Sequence, residues 1–504
     1  MRTYEIILLL ANLSTLFLMF RKHSKKVWLG IAGLNLVILC LHGVIEGFRF
    51  QLIFSYAYVV LLSVYARVKS SGRFTFKSPP PLKAALLILS AVGLLLTSIL
   101  TYAFPVFTLH KPTGSYQVGV KYFNWVDDNR MDPFLDPPSQ KRELMVKVYY
   151  PAEKDRTVPY ASYFHQSPAY VKSFIEGFGI PAYLFQHLSR VTTNGKEGLP
   201  LSDREPSYPV ILFSHGAGTS VEVQTSQCED LASHGYIVAA IDHPYISSVT
   251  QFPDRLVSAR EATVTFDTSE ATAVLSQIMV DDSEFVITSL NELNEGKIDS
   301  DFKGKLNLNE IGAIGHSLGG SAAYNLALND SRIQAAIDLD GDVYITPRDN
   351  SKMAPFLMLA SDQNTRLIQD REPLMMKNIN LIPDEMREKA LEPYGGNEKA
   401  YNEDYEHARQ NILGLIDVLI ESGNFYHIEG SSHLEFTDMG LFIGNRQLRE
   451  LLGLGGKIDP EKCLEITKSV TLAFFDQHLK NETENALESL TYKHPQLKKL
   501  QLTH

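Results

Sequence analysis

The sequence predicts an N-terminal bundle of about four transmembrane α-helices, followed by an α/β domain whose mostly parallel central sheet has helices on both faces. Three observations lead to this fold class. The first hundred residues contain four long apolar runs, and from residue 209 short apolar strands alternate with helical stretches. A glycine-flanked serine, Ser317, joins one of these strands to a helix. Such alternation is typical of a parallel sheet buried on both faces.

The apolar runs cover residues 4–20, 27–45, 51–66 and 84–104. Each is close to the roughly 20 residues that a helix needs to cross a bilayer. A cleaved signal peptide would account for the first run alone. A packed soluble helical domain is the alternative, but charges confined to the ends of the runs favour lipid. Residues 1–105 are therefore predicted to form a membrane anchor.

Basic residues in the connecting loops predict the orientation of these helices. They are concentrated in the first and third loops, at Arg21, Lys22, Lys25, Lys26, Arg67, Lys69, Arg73, Lys77 and Lys83. The second loop has only Arg49, close to Glu46. Because positive residues stay on the cytoplasmic side, the N-terminus and everything after residue 105 are predicted to be extracytoplasmic. The sequence thus predicts a multi-pass protein of the cell membrane.

Charge is distributed unequally between the two parts of the chain. Residues 1–105 contain 11 basic and 2 acidic side chains, a net charge of +9, so the remainder carries −20 of the total of −11. So acidic a domain is repelled by polyanions, which argues against a nucleic-acid partner. It also argues against binding to anionic lipid through a basic face. The lipid bilayer is expected to be contacted through the N-terminal helices.

The three cysteines, Cys40, Cys228 and Cys463, do not form a disulfide framework. Cys40 lies within an apolar run, and the sequence has no C-x-x-C or zinc-site spacing. We therefore expect unbridged cysteines, no metal and no cofactor.

Seven apolar segments outline the sheet predicted for residues 106–504, at 144–150, 210–213, 236–241, 311–314, 335–340, 355–360 and 424–428. Residues 255–297 are predicted to form one long helix. Residues 161–190 are rich in aromatic side chains, which can belong to the core, line an apolar cleft or touch the bilayer. This segment and the polar, helix-prone residues 365–420 are possible lids.

The run Gly315-His316-Ser317-Leu318-Gly319-Gly320 gives the most specific signal in the sequence. An apolar strand precedes it and a helix-forming stretch follows. Glycine at 315 and 319 lets a strand turn sharply into a helix, the geometry of a nucleophile elbow. The turn lifts the Ser317 hydroxyl to a helix N-terminus, where developing negative charge is stabilised. The alternative is a glycine-rich turn in an inert α/β protein.

An elbow serine needs a base, and the base needs an acid that orients it. In this architecture the acid and then the histidine follow the serine along the chain. His433 lies five residues after Ile428, beyond the last predicted strand, and is the predicted base. Asp340 and Asp362 each follow a strand after the elbow helix. General geometry favours the later strand and so Asp362, but spacing alone leaves both open.

Two backbone N–H groups are expected to stabilise the oxyanion that forms during the reaction. One belongs to Leu318, the residue after the serine. The other comes from the loop His215-Gly216-Ala217-Gly218, with Ala217 as the expected donor. Its small residues allow a carbonyl oxygen to come close to the backbone. The alternative is a tight connection without a chemical role.

These motifs closely resemble those of the plasma-type (isoform II) platelet-activating factor acetylhydrolase family. The resemblance runs from about residue 140 to 475 and is carried by residues 213–218, 230–240, 315–320, 337–340 and 430–433. It implies an α/β-hydrolase fold and metal-independent cleavage of short or oxidised acyl chains from phospholipids. Its implied site residues are Ser317 as nucleophile, Asp340 as acid, His433 as base, and Ala217 and Leu318 as oxyanion donors.

The chain departs from that family in three respects. The secreted members lack the four membrane spans, residues 365–420 form a longer insertion, and residue 318 is leucine instead of an aromatic residue. These differences bear on the acyl chain and head group of the substrate and leave the reaction class unchanged.

The sequence therefore predicts a membrane-anchored serine carboxylic-ester hydrolase that cleaves amphiphilic or phospholipid esters through an acyl-enzyme. One alternative keeps this chemistry but acts on a small soluble ester, a polyester or a peptide. The other is a catalytically silent membrane sensor with a hydrolase-shaped outer domain. Retention of the serine, the histidine and an acid argues against the sensor.

Overall fold

The computed structural model describes residues 1–21, 23–71, 80–137, 139–164, 167–262, 267–298, 300–344, 353–374, 376–482 and 486–504. Of the features predicted above, those outside the described residues are Lys22, Arg73, Lys77, and residues 165–166, 263–266 and 375. All candidate site residues lie within the described part of the chain.

Four helices come first along the chain: α1 (Thr3–Leu18), α2 (Lys25–Ile45), α3 (Ile53–Ser71) and α4 (Pro80–Ala103). They coincide with the four predicted apolar runs. The stretches that are long and apolar enough to cross a membrane are Lys25–Ile45, Phe50–Ser71 and Lys83–Ala103. With 16 residues, α1 is shorter than the roughly 20 residues of a span. Helix length therefore supports three of the four predicted spans.

These helices pack as a bundle, with α1 and α3 each in contact with α2 and α4. Two buried asparagines inside the bundle donate hydrogen bonds to side chains of neighbouring helices. Asn12 Nδ2 donates to Ser55 Oγ (3.0 Å), and Asn35 Nδ2 donates to Thr15 Oγ1 (3.0 Å). Many large apolar side chains, such as Leu61, point outward. Paired polar groups inside and apolar side chains outside are characteristic of helices packed in lipid.

The strands of the described residues are β1 (Gln117–Met131), β2 (Lys141–Ala152), β3 (Lys196–Glu197), β4 (Tyr208–Ser214), β5 (Ile237–Asp242), β6 (Val249–Gln251), β7 (Leu256–Ser258), β8 (Leu306–His316), β9 (Ile333–Leu339), β10 (Phe356–Ala360), β11 (Phe425–Ile428) and β12 (Leu497–Leu500). One ten-stranded sheet has the order β12-β11-β10-β9-β8-β4-β5-β2-β1-β3. Within this order, the six adjacent strands from β11 to β5 are parallel to one another. β12 and β2 pair antiparallel with β11 and β5. The predicted mostly parallel sheet is confirmed.

The helices after the bundle are α5 (Pro168–Gly177), α6 (Thr225–Ser233), α7 (Ser269–Glu295), α8 (Leu318–Asn329), α9 (Asp362–Asp370), α10 (Asp384–Leu391), α11 (Glu398–Ser422), α12 (Arg446–Leu451), α13 (Pro460–Leu479) and α14 (Ala486–Lys493). On one face of the sheet, Met279 of α7, Ala322 of α8 and Ile412 of α11 join a buried core. On the other face, Leu231 of α6 and Val470 of α13 join a second core. The central strands are apolar throughout because both of their faces are covered.

Residues 255–297 do not form the single long helix expected from the sequence. β6 and β7 pair as an antiparallel hairpin, and α7 begins only at Ser269. The side chain of Thr268 caps this helix by accepting from the N–H of Ala271 (3.1 Å), a favourable role for threonine at a helix N-terminus.

The aromatic segment 161–190 contributes to a core at the end of the bundle. Tyr163 and Phe185 are buried in a third hydrophobic cluster with Phe104 and Phe107, which follow α4. The ring centroids of Phe104 and Phe185 are 5.2 Å apart. Of the three interpretations of this segment, the buried rings support the core. The bundle and the outer domain therefore share apolar packing.

Candidate active site

Two glycines make the turn between β8 and α8 possible. A Cβ atom on Gly315 would lie 2.0 Å from the carbonyl oxygen of Gly319, and a Cβ atom on Gly319 would lie 2.3 Å from that of Ser214. No side chain fits at either position. Ser317 has φ 56° and ψ −122°, a strained conformation for a residue with a side chain. The turn thus has the expected geometry of a nucleophile elbow.

Backbone hydrogen bonds fix Ser317 at the start of α8. Its N–H donates to the carbonyl oxygen of Leu339 on β9 (3.0 Å), and its own carbonyl oxygen accepts from the N–H of Gly320 (2.8 Å). Ser317 is half-buried, whereas the adjacent residues His316 and Leu318 are buried. The serine therefore lies at the N-terminus of a helix, where the helix dipole favours negative charge.

His433 and Asp340 form a hydrogen-bonded pair. Nδ1 of His433 lies 2.8 Å from Oδ2 of Asp340, and Oδ1 of Asp340 accepts from the N–H of Ser361 (2.6 Å). The side chain of Asp340 is 1% exposed and that of His433 is 38% exposed. The carboxylate is thus enclosed while the imidazole is accessible. Because the carboxylate engages Nδ1, Nε2 is the nitrogen left to accept a proton.

This pair lies beside Ser317. The ring centroids of His433 and His316, the residue before the serine, are 4.6 Å apart. Nε2 of His316 lies 2.9 Å from the carbonyl oxygen of His433. Burial holds the pKa of His316 well below its ordinary value, so this ring is neutral and donates through Nε2. Ser317 thus lies near the Asp340–His433 pair at the carboxyl edge of the sheet, where α/β folds bind ligands.

Asp362 has a different histidine as its partner. Its Oδ1 lies 2.7 Å from Nε2 of His427. The same oxygen accepts from the N–H of Gly430 (2.9 Å), so it helps to hold the loop that leads to His433. Of the two acids that spacing left open, the structure brings Asp340 to His433 and pairs Asp362 with another residue.

The loop at residues 215–218 lies against the elbow. A Cβ atom on Gly216 would lie 3.0 Å from Cβ of Ser317. In the described part of the chain, the N–H groups of Ala217 and Leu318 donate to no protein acceptor. Unused N–H groups next to a nucleophile are what an oxyanion site requires.

Three donors hold the carbonyl oxygen of Gly216: Nδ1 of His215 (2.8 Å), the N–H of Thr219 (3.1 Å) and Oγ1 of Thr219 (2.7 Å). The N–H of His243 donates to Nε2 of His215 (3.1 Å). Burial lowers the pKa of His215 to about 3, so this ring is neutral and its proton is on Nδ1. The C=O and N–H of a trans peptide point in opposite directions. Fixing this carbonyl therefore directs the N–H of Ala217 to the other side.

A second serine–histidine–aspartate set lies behind this loop and is buried. Nε2 of His243 lies 3.1 Å from Oγ of Ser214, and Nδ1 lies 2.9 Å from Oδ2 of Asp282. Arg142 donates to the same carboxylate oxygen (2.7 Å). Burial alone would raise the pKa of Asp282, but the Arg142 guanidinium and His243 together outweigh burial and hold this pKa well below its usual range. Buried on all sides, this set supports the loop from behind.

Sequence reasoning does not identify Thr219, His243 or Asp282. His243 and Asp282 come from separate elements, and only folding brings them into contact. One signal was available, because His243 directly follows the apolar strand β5. Residues in that position reach the carboxyl edge of a parallel sheet.

The assembled groups are those of nucleophilic acyl transfer: a serine at a helix N-terminus, an imidazole oriented by a carboxylate, and two unused backbone N–H groups. Across the described residues, no group of three or more histidine, cysteine, aspartate or glutamate side chains is arranged to hold a metal ion.

Comparison with known proteins identifies the family. The family described as "Platelet-activating factor acetylhydrolase, isoform II" matches residues 102–494. A platelet-activating factor acetylhydrolase from Cavia porcellus is 24% identical over 395 residues, which cover 74% of this chain and 78% of that protein. A probable 1-alkyl-2-acetylglycerophosphocholine esterase from Arthroderma benhamiae is 25% identical over 413 residues, 78% of this chain and 93% of that protein.

A solved structure gives the same picture of the fold. A ferulic acid esterase from Streptomyces cinnamoneus superposes with a TM-score of 0.56 at 21% identity, covering 79% of this chain and 100% of the other. The large, mostly parallel sheet is consistent with an α/β-hydrolase. Relatives with these names indicate an ester hydrolase. Because the family match extends over most of its length, this chain belongs to the platelet-activating factor acetylhydrolase isoform II family.

Proposed function

We propose that this protein is a membrane-anchored serine carboxylic-ester hydrolase that removes ester-linked acyl chains from lipid-like substrates. The observation that carries the proposal is the Asp340–His433 pair beside Ser317 at the elbow. Membership in a family named for acetyl ester hydrolysis supports an ester as the substrate.

In the first half of the reaction, the Ser317 hydroxyl attacks the ester carbonyl while Nε2 of His433 takes its proton. Asp340 orients the ring and stabilises the imidazolium that forms. The N–H groups of Ala217 and Leu318 stabilise the oxyanion, and losing one such donor typically costs about 3 kcal/mol. His433 then protonates the leaving alcohol, which departs and leaves the acyl group on Ser317.

In the second half, His433 removes a proton from water, and the resulting hydroxide attacks the acyl-enzyme. The bond between Oγ of Ser317 and the acyl carbon breaks, and His433 returns the proton to the serine. The products are a carboxylic acid and the regenerated enzyme.

We assign membrane anchoring to residues 1–105 and catalysis to residues 106–504, on the extracytoplasmic side. Three helices long enough to span a bilayer support the anchor, and the family match begins at residue 102. The loop charges favour this orientation. The helical insertion at 365–420 is a candidate lid.

The Ser317→Ala variant tests the mechanism. It should lose labelling by a fluorophosphonate probe and at least 10³-fold of ester turnover, because triad enzymes without a member keep only residual activity. Ser331→Ala, an exposed serine in the turn after α8, is the matched control and should retain both. Unchanged labelling of Ser317→Ala would refute the mechanism, and an inactive wild-type protein would favour the silent sensor.

Substrate class is tested with p-nitrophenyl esters of increasing chain length and a phospholipid with a short sn-2 chain. Preferential turnover of the phospholipid supports the proposal, whereas preference for short soluble esters favours the alternative. Protease accessibility of the outer domain in intact cells tests the topology. Protection of the residues after 105 would overturn the proposed orientation.

A further inference from the structure

A groove of about 440 Å³ lies between the helical bundle and the outer domain, and we call it the junction groove. Among its lining residues are Phe48, Arg49 and Phe50 from the bundle and Val171, Tyr183 and Arg190 from the outer domain. Ser317, Asp340 and His433 are not part of it. The groove is therefore separate from the candidate active site.

The junction groove has an exposed aromatic wall. Phe48, Phe50 and Tyr183 are 56%, 38% and 50% exposed. The ring centroids of Phe50 and Tyr183 are 4.7 Å apart, so the bundle and the outer domain each contribute one ring. Ile53 also lines the groove and begins α3, so the wall continues onto the apolar surface of a candidate span. Aromatic rings at the end of such a helix are typical of the membrane interface.

Two arginines line the groove, and Arg190 alone exposes its guanidinium group. Arg49 is buried and donates to Glu5 (2.8 Å) and to the carbonyl oxygen of Phe104 (2.7 Å). Within the described residues its Nε has no hydrogen-bond partner. Arg190 is exposed and donates through Nη1 to the carbonyl oxygen of Gly47 (3.0 Å).

The charge of the lining suits an anion. It contains no carboxylate among the described residues, although the chain after residue 105 carries a net charge of −20. Glu5 balances the charge of Arg49, and Arg190 has no acidic partner in the described part of the chain. Arginine binds phosphate strongly because its planar fork of donors matches the phosphate oxygens.

We propose that the junction groove binds one phospholipid from the adjoining bilayer leaflet. The phosphate would lie at the guanidinium of Arg190, and an acyl chain would lie along Phe48, Phe50 and Tyr183. The inference rests on the membrane anchoring proposed above. A single aqueous anion would not need the aromatic wall, and a neutral lipid would not need the Arg190 guanidinium.

Helix α5 connects the junction groove with the candidate active site. Val171, in its first half, lines the groove. At its C-terminal end, a Cβ atom on Gly177 would lie 2.4 Å from Oγ of Ser248, whose N–H donates to the carbonyl oxygen of Thr219 (2.7 Å). Ten helical residues extend about 15 Å. A phospholipid in the groove would thus be held about one such helix length from the oxyanion loop, as a nearby supply of substrate.

The test measures lipid binding by the full-length protein in detergent micelles, in the Ser317→Ala background so that the probe is not hydrolysed. A fluorescent phosphatidylcholine is titrated into proteins with and without Arg190→Gln. We expect this substitution to weaken binding about tenfold, the effect of losing a charge-assisted hydrogen bond. Arg332→Gln is the matched control. It removes an exposed arginine that directly precedes β9 and is not part of the junction groove.

Two further arms separate the possible ligands. A fluorescent diacylglycerol, which lacks the phosphate, should bind weakly and be insensitive to Arg190→Gln. Phe50→Ser should weaken the binding of phosphatidylcholine. Thermal unfolding of each variant reports on its fold. Equal binding by Arg190→Gln and the control, or displacement of the lipid by millimolar inorganic phosphate, would overturn the proposal. Lack of ester turnover by wild-type protein would refute the proposed function without affecting this result.

Discussion

At the residue scale, the partners of Asp340 and Asp362 distinguish two carboxylates that the sequence could not separate. Asp340 is enclosed and pairs with Nδ1 of His433. Asp362 is 42% exposed and pairs with His427. An acid that orients a catalytic base must stay ionised and close to the ring through the whole cycle. Only the first arrangement meets that requirement.

We therefore predict that Asp340→Asn lowers kcat by about 10⁴-fold, because the amide would favour the wrong tautomer of His433. Asp362→Asn, the matched substitution, should lower kcat by less than about tenfold, since it affects only the loop before the base. Turnover of a short p-nitrophenyl ester by the purified variants checks this. A larger loss in Asp362→Asn than in Asp340→Asn would reverse the assignment.

We expect Thr219 to act one step away from the reacting atoms, through the carbonyl oxygen of Gly216. Thr219→Val keeps the shape of the side chain but removes the hydroxyl that holds this oxygen (2.7 Å). The N–H of Ala217 is then less well directed, so kcat should fall about tenfold with KM unchanged, a fraction of the loss caused by removing an oxyanion donor.

Thr219→Ser restores the hydroxyl and should recover most of the activity. Affinity for a trifluoromethyl ketone inhibitor, which forms an oxyanion with the serine, should fall in parallel with kcat for the valine variant. If kcat and inhibitor affinity both stay at wild-type values in Thr219→Val, the hydroxyl has no positioning role.

The sequence was sufficient to identify Ser317 and His433. Ser317 lies in a turn between an apolar strand and a helix, and His433 follows the last predicted strand. The acid could not be identified from the spacing of residues in the same way. Asp340 and Asp362 follow adjacent parallel strands, β9 and β10, so both reach the same edge. Which of them contacts His433 depends on the path of the loop after β11, and this path cannot be predicted from the spacing of residues in the sequence.

At the scale of elements, the predictable strands were those buried on both faces. β4, β5 and β10 are buried along their whole length, and continuous apolar runs disclose such strands. β1 alternates buried and exposed residues over much of its length and has four polar residues, 127–130, near its end, so it contains no continuous apolar run and its 15 residues were missed. The hairpin of β6 and β7 has only three residues per strand, too few for a periodic pattern.

The aromatic segment 161–190 was only partly predictable from the sequence. Their aromatic content predicted an apolar environment but not its source. The structure supplies it, because Phe104 and Phe107 emerge from α4 and pack with Tyr163 and Phe185. A contact between two regions that are far apart in sequence has no local signature, so the aromatic stripe favoured the core but left an apolar cleft and the bilayer open.

At the scale of the whole molecule, the outer domain is fixed to the bundle by more than the chain that joins them. Gln51 Nε2 donates to the carbonyl oxygen of Leu184 (2.6 Å), and Nε2 of His187 lies 3.1 Å from that of Pro105. Burial lowers the pKa of His187 to about 3, so this ring is a neutral donor. Hydrogen bonds and shared apolar packing orient the candidate active site relative to the bundle.

All three cysteines are unbridged, as the sequence predicted. The fold therefore depends on its hydrophobic cores and on buried polar groups. Several of those groups are carboxyls, and two of them, Glu435 and Asp438, lie just after His433. Burial raises the pKa of each to about 7. The loop that carries the proposed base is thus sensitive to protonation near neutral pH.

A carboxyl whose pKa is raised by folding is protonated in the folded protein while the unfolded chain has already lost the proton. Stability from Glu435 and Asp438 is therefore fully present below about pH 4 and is lost as the pH rises to about 7. We predict that the free energy of unfolding falls over this range, by at most about 1.4 kcal/mol per pH unit for each group, and then levels off.

Glu435→Gln tests this prediction, because glutamine stays neutral and its carbonyl can still accept from the N–H of Ser432, as the carboxylate does (2.9 Å). The variant should show a shallower decline of Tm between pH 4 and 7 than the wild type, and the two curves should run parallel above that range. Glu429→Gln, an exposed glutamate in the same loop, serves as the control and should retain the full decline. A wild-type slope in Glu435→Gln would mean that its carboxyl does not titrate with folding, and would place the pH dependence on other groups.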